Sequence, residues 1–200
     1  MQRAIVKQGE KVALIIPEPE DVEVLYLGIN NPEIAQFLWS TSGLMTRAQE
    51  EEYLKKSSED DSKRLLMIRN IATKHVIGGC DLHQISFEHR HGTIGIAIHD
   101  QSNHNKWYWS EALRLLSEYG FRELGLHKLI INARSNNPRA EYLYKKLGFT
   151  EVGRRRQQGR IRGERRDEIM MEMLREEWET MSNVSKKQES RTKKQEKIGT

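Results

Sequence analysis

Apolar and polar positions follow one another along this chain with a period that changes from segment to segment. Val12 to Ile16 is a short apolar, β-branched run and predicts a strand. Pro17-Glu18-Pro19-Glu20-Asp21 interrupts it and opens a helix, with acids near the helix's positive end. Val22, Leu25, Tyr26 and Ile29 then recur at helical spacing. Asn31-Pro32-Glu33 pairs an N-cap residue with a proline at the first helical position and predicts a short helix to Leu38. Thr46-x-x-Gln49 has the form of a capping box ahead of a polar helix through Lys56, and the acidic stretch Ser57 to Ser62 reads as an exposed loop. Leu65 to Arg69, Val76 to Ile85 and Thr93 to Ile98 predict three strands. Their short links imply an antiparallel meander, and Ile94, Ile96 and Ile98 alternate with period two. Ser110 to Leu124 predicts the longest helix, with Leu113, Leu116, Tyr119 or Gly120, and Leu124 facing inward and Gly125 as its stop. Lys128 to Ala133 and Asp167 to Leu174 read as further strands, with Thr150 to Gly153 between them.

Between those strands lies the segment with the clearest punctuation, Asn137 to Phe149. Asn137 suits an N-cap and Pro138 the first helical position, while Gly148 suits a left-handed stop. Ala140 and Tyr144, four residues apart, share one face. A small residue beside a tyrosine at a helix start points to a ligand that runs close to backbone, although an amphipathic helix with a packed tyrosine has the same pattern.

Composition narrows the setting. With 200 residues the chain has room for one domain with a real core. No apolar run approaches membrane-spanning length, and Met1 to Gly9 has no secretory apolar region. The single cysteine, Cys80, rules out an internal disulfide and fits a reducing, cytoplasmic setting. The net charge of +4 is local: from Lys186 onward Lys186, Lys187, Arg191, Lys193, Lys194 and Lys197 face only Glu189 and Glu196. Residues 181–200 are therefore expected to form a basic, disordered tail on a nearly neutral domain spanning 1–180. The tail's charge is no argument that the domain binds nucleic acid. Two alternating histidines, His89 and His91, lack a spaced third ligand, so no metal site is expected.

The Asn137 segment resembles the N-x-R-A-x-x-x-Y-x-K-x-G-F signature of the GNAT superfamily of acetyl-CoA-dependent N-acetyltransferases. Asn137, Arg139, Ala140, Tyr144, Lys146, Gly148 and Phe149 all fall in register. The element order over Val12 to Trp178, a meander followed by strand–helix–strand–helix–strand, is similar to that family's. Ile16-Pro17-Glu18-Pro19-Glu20-Asp21, Ser110-Glu111-Ala112-Leu113, Glu123-Leu124-Gly125-Leu126-His127-Lys128 and Asp167-Glu168-Ile169-Met170-Met171 look like the branch of ribosomal-protein N-terminal and spermidine acetyltransferases. The implied fold class is α+β: an acyl-CoA N-acyltransferase fold with a mixed central sheet splayed between the fourth and fifth strands and flanked by helices. The implied co-substrate is acetyl-CoA, with no metal.

The resemblance implies a site. The pantetheine arm would pair with backbone at Ala97 and Ile98 in the splay, and an amide there would stabilise an oxyanion. Asn137, Ala140 and Lys146 would contact the cofactor, and Tyr144 would protonate the departing thiolate. The pyrophosphate would lie on the loop His104-Asn105-Lys106-Trp107-Tyr108-Trp109 and on a helix capped by Ser110. Here the chain departs from the family pattern Gln/Arg-x-x-Gly-x-Gly/Ala, because Trp107 and Trp109 stand at both glycine positions. Either the aromatic residues plug the phosphate site or they form a rebuilt loop that stacks on the cofactor. His99, at the end of a central strand, is the first candidate for the base that deprotonates the amine, ahead of Asp81 and His83. The acceptor implied is a primary amine, either a protein N-terminus such as that of a ribosomal protein or a small polyamine or amino sugar. The protein terminus is slightly favoured from branch resemblance. A homodimer is compatible. A noncatalytic GNAT-fold binding module, or an RNA- or ribosome-associated factor using the arginines between Arg154 and Arg166, would carry the same pattern.

Overall fold

The computed structural model describes residues 3–38, 44–99, 106–161 and 163–183. Among the described residues, eight strands form one sheet in the order β1-β2-β3-β4-β5-β6-β8-β7. They are β1 (Ile5–Gln8), β2 (Val12–Ile15), β3 (Arg64–Asn70), β4 (Val76–Ser86), β5 (His91–Ile98), β6 (Lys128–Arg134), β7 (Thr150–Ile161) and β8 (Glu164–Leu174). Among the described residues, the helices α1 (Val22–Ile29), α2 (Pro32–Ala35), α3 (Arg47–Glu59), α4 (Lys106–Arg122) and α5 (Pro138–Lys146) flank it. All neighbouring strands run antiparallel except β5 and β6, which α4 joins as a parallel crossover.

One face of the sheet carries the larger core. Leu82 of β4, Ile94 of β5, Ile131 of β6 and Met171 of β8 lie in one cross-strand row and are all buried, beneath Leu113, Leu116 and Phe121 of α4. A smaller cluster of Ala13, Ile15, Leu25 and Met67, with Tyr53 and Leu54 beside it, packs α1 and α3 on the other face. The local devices expected from sequence form as hydrogen bonds. Asn31 Oδ1 accepts from Glu33 N at 3.0 Å, and Thr46 N donates to Gln49 Oε1 at 2.8 Å in a reciprocal box.

Three expectations are corrected. Ile5–Gln8 forms a strand, β1, that a four-residue run of mixed polarity did not announce; it pairs with β2. The splay lies between the expected pair, the strand ending before His99 and the one starting at Lys128, which the additional strand β1 makes the fifth and sixth. Helix α3 continues to Glu59 and buries Ser57, so the loop is shorter than Ser57 to Ser62. The strands expected at Thr150 to Gly153 and Asp167 to Leu174 are longer, running through the arginine-rich hairpin as the paired strands β7 and β8. At the C-terminus residues 175–183 are helical, with Trp178 packed on Phe121 at 5.3 Å; the remainder of the expected tail lies outside the described residues.

Candidate active site at the split in the sheet

Strands β5 and β6 pair from His91↔Lys128 to Ile94↔Ile131 and no further. Beyond that point residues 95–98 stay paired to β4, and residues 132–134 stay paired to β8. The two facing backbone edges therefore have no strand partner across the gap, and unpaired amides and carbonyls favour a ligand that can pair with them. Ala97 and Ile98 lie on one lip of this opening.

Helix α5 is built as its sequence implies. Asn137 Oδ1 accepts from Ala140 N at 3.1 Å, and Pro138 needs no partner at the first position. At the far end Phe149 N donates to Tyr144 O at 3.0 Å and Gly148 N to Lys145 O at 3.1 Å, a Schellman closure with Gly148 at φ +95°. Tyr144 and Ala140 are buried in the same cluster as Ile98 and Ala133, residues that border the split. Lys146 is exposed in the last turn. Burial raises the Tyr144 pKa, so the phenol holds its proton through neutral pH.

The start of α4 departs from expectation. The helix begins at Lys106, so Trp107, Tyr108, Trp109 and Ser110 occupy its first turns instead of a loop, and Ser110 is not its cap. His104 and Asn105 lie outside the described residues. The two indoles do different things. Trp107 is 61% exposed, with Lys11 Nζ 4.9 Å from its ring centroid. Trp109 stacks on Tyr144 with centroids 5.2 Å apart and planes inclined by 24°. Phe149 contacts the Tyr144 ring at 6.2 Å. Tyr108 packs on the core.

A feature that sequence reading missed pins this helix. Both carboxylate oxygens of Glu111 accept from the backbone of the β1–β2 turn: Glu10 N at 2.7 Å, Lys11 N at 2.9 Å and Val12 N at 2.9 Å. No local pattern connects Glu111 to a turn a hundred residues away.

His99 follows β5 and packs on α1. Its Nδ1 lies 2.8 Å from the Val24 carbonyl, which can only accept, so the proton sits on Nδ1 and Nε2 keeps its lone pair. A Cβ on Gly28 would collide with the imidazole, so α1 needs glycine there for this contact. Burial lowers the His99 pKa against the opposing pull of the Val24 bond, and the ring is neutral at pH 7. On β4, His83 Nδ1 lies 2.8 Å from Asp81 Oδ1, and Lys63 Nζ stands 3.6 Å from Asp81 Oδ2. Cys80 is buried, which raises its pKa and makes it a structural thiol. Among the described residues no group of three or more His, Cys, Asp or Glu is placed to hold a metal. No helix among them is long and apolar enough to cross a membrane. In the β7–β8 hairpin Arg154 pairs with Glu151 at 2.7 Å and Arg155 with Glu168 at 2.9 Å, while Arg166 pairs with Glu164.

Comparison with known proteins agrees with this geometry. Residues 11–150 match the model of the acetyltransferase (GNAT) domain. The chain is 27% identical over 157 residues to a spermidine N(1)-acetyltransferase of Vibrio cholerae, covering 78% of this chain and 89% of that one. It is 25% identical over 173 residues to the uncharacterized N-acetyltransferase p20 of Bacillus licheniformis, covering 84% and 96%. The solved structure of a Vibrio cholerae spermidine N-acetyltransferase in complex with CoA and spermine superposes with a TM-score of 0.79 at 25% identity, covering 85% and 99%. A sheet that opens beside a capped tyrosine helix, and a family match across most of the folded chain, lead to one conclusion: this protein belongs to the GNAT acetyltransferase domain family and is an acetyl-CoA-dependent N-acetyltransferase.

Proposed function

We propose that the acceptor is a polyamine, acetylated on a primary amine by direct transfer. The observation that carries the transfer itself is the end of β5–β6 pairing at Ile94↔Ile131, beside the buried Tyr144. The choice of a polyamine over a protein N-terminus is supported by the relatives, whose names specify spermidine. Acetyl-CoA supplies an activated thioester, and the free backbone edges at Ala97 and Ile98 suit its amide-bearing arm. The amides in the first turn of α4, with Asn137 and Ala140 at the head of α5, are the remaining candidates to hold it.

The environments of the side chains support a role for each. Tyr144 keeps its proton in a buried setting and can give it to a departing thiolate. His99, with Nδ1 committed to Val24, offers Nε2 to accept a proton from the attacking amine directly or through water. A backbone amide at Ala97 or Ile98 is the donor for the oxyanion that forms between these events.

The test is turnover. Purified protein with acetyl-CoA is expected to release free thiol in the presence of spermidine, with the mass of the amine rising by one acetyl group. Equal or better acetylation of a ribosomal-protein N-terminal peptide, with none of spermidine, would reject the polyamine and keep the family.

A further inference from the structure

We infer that Asn132, together with Asp81, binds the second nitrogen of the acceptor, the ammonium next along from the reacting amine, and so selects polyamines over monoamines. The inference rests on the polyamine reading above.

Strand register brings the parts together. Asp81 pairs with Gly95 across β4 and β5, and Asn132 pairs with Met170 across β6 and β8. The last β5–β6 pair is Ile94↔Ile131, so Gly95 and Asn132 are the first residues on each side of the opening. Side chains alternate along a strand, and Ile94 and Ile131 belong to the buried α4 face. Gly95 and Asn132 therefore belong to the opposite face, with Asp81, Ala97 and His99. That face is only half-buried at Asp81, Gly95, Asn132 and Met170.

Two observations there ask for a cationic N–H donor. The first is Asn132 Oδ1, which is buried and has no hydrogen-bond partner among the described residues. A buried acceptor left without a donor is costly, and such groups call for an explanation. The second is the Asp81 carboxylate, which leans over Gly95; a Cβ on that glycine would collide with Asp81 Oδ1. His83 Nδ1 and Lys63 Nζ each engage one oxygen of Asp81, and Lys63 also donates to Tyr53 Oη at 2.9 Å. A carboxylate has about four acceptor positions, so two of them remain for a further donor. An alkylammonium supplies both the N–H that Asn132 lacks and a charge that Asp81 attracts.

Position decides which nitrogen this is. Gly95 precedes Ala97 by two residues, roughly 7 Å along a strand. The reacting amine must lie by Ala97 and Ile98, where the thioester is delivered. A cation bound at Gly95 is thus displaced from it by about the length of a short alkyl spacer. A monoamine has nothing to place there.

The experiment compares spermidine with n-butylamine in wild type and in Asn132→Val, which suits a strand and removes the orphan oxygen. The expected result is a rise of about tenfold in the spermidine KM. Maximal kcat and the acetyl-CoA Kd should be kept, the butylamine kcat/KM unchanged, and the Tm equal or higher because a buried unsatisfied group is gone. Asn132→Ser, which keeps polarity but withdraws the oxygen, should show the same KM change and stands in if the valine variant does not fold. An unchanged spermidine KM overturns the inference, and so does an equal loss for both amines. Failure of the polyamine reading is seen separately, as wild type that does not acetylate spermidine at all.

Discussion

Trp109 and Tyr144 show how a single unexpected side chain can be absorbed by a site. An indole where the family pattern has a small residue threatens the cofactor path, yet here it lies against the tyrosine ring and limits the orientations that ring can adopt. Tyr144→Phe is expected to lower kcat by roughly a hundredfold, the scale of a lost general acid, with the acetyl-CoA Kd unchanged. Unaltered turnover would remove the acid role. Trp109→Ala should lower kcat while Trp109→Phe restores most of it, because an aromatic face is what the stack requires. It should also admit water to the phenol and move the basic limb of the pH–rate profile to lower pH, since burial is what raises the Tyr144 pKa. His99 titrates in the opposite sense. Its folded pKa lies below the ordinary 6.5, so the unfolded chain binds the proton more tightly. Its stability contribution is complete above pH 6.5 and is lost as pH falls toward the folded pKa. Urea unfolding between pH 7.5 and 5 should show a shallower dependence in His99→Gln than in wild type.

Among the elements, α4 and α5 border the candidate site, and each is anchored by hydrogen bonds near its ends. The Glu111 carboxylate ties α4 to the turn between β1 and β2 through three backbone donors. Glu111→Ala is expected to cost about 2 kcal/mol in chemical unfolding, more than a typical surface substitution, because three amides lose a charged acceptor at once. A cost near zero would mean that the turn re-forms without it. Helix α5 depends on local chemistry instead. Asn137→Ala should cost about 1 kcal/mol through the lost cap. Gly148→Ala should cost at least as much, because φ is +95° there and Met181 Sδ fills the space a Cβ would need. Both ends of α5 were legible in sequence since the cap and the stop are short-range. The start of α4 was not: the stretch from Lys106 to Trp109 has helix-compatible residues, and tertiary contacts from Lys11, Tyr144 and the core hold it in the helix.

For the whole molecule, the opening between β5 and β6 is the feature on which the proposed transfer rests, and ligand linkage tests it directly. Acetyl-CoA at about a hundred times its Kd should stabilise the protein by about 2.7 kcal/mol. For a chain of this size that corresponds to a Tm rise on the order of 5–10 °C. No rise at millimolar acetyl-CoA would show that the aromatic start of α4 closes the path. The same titration with Trp109→Ala separates the two roles of the indole: a plug predicts tighter binding in the variant, and a support for Tyr144 predicts an unchanged Kd.

Element types, the capped tyrosine helix and the family could all be read from the chain itself, because periodicity, caps and turn residues act over a few positions. The strand β1 escaped that reading: its four residues have no face that is wholly apolar and gain their order by pairing with β2. Only the tertiary structure decided where β5 parts from β6, which tautomer His99 adopts, that Glu111 holds a distant turn and that Gly95 and Asn132 are the first residues beyond the split. Each of these depends on strand register and on contacts between residues far apart in the chain, and those are set by packing of the whole sheet against its helices.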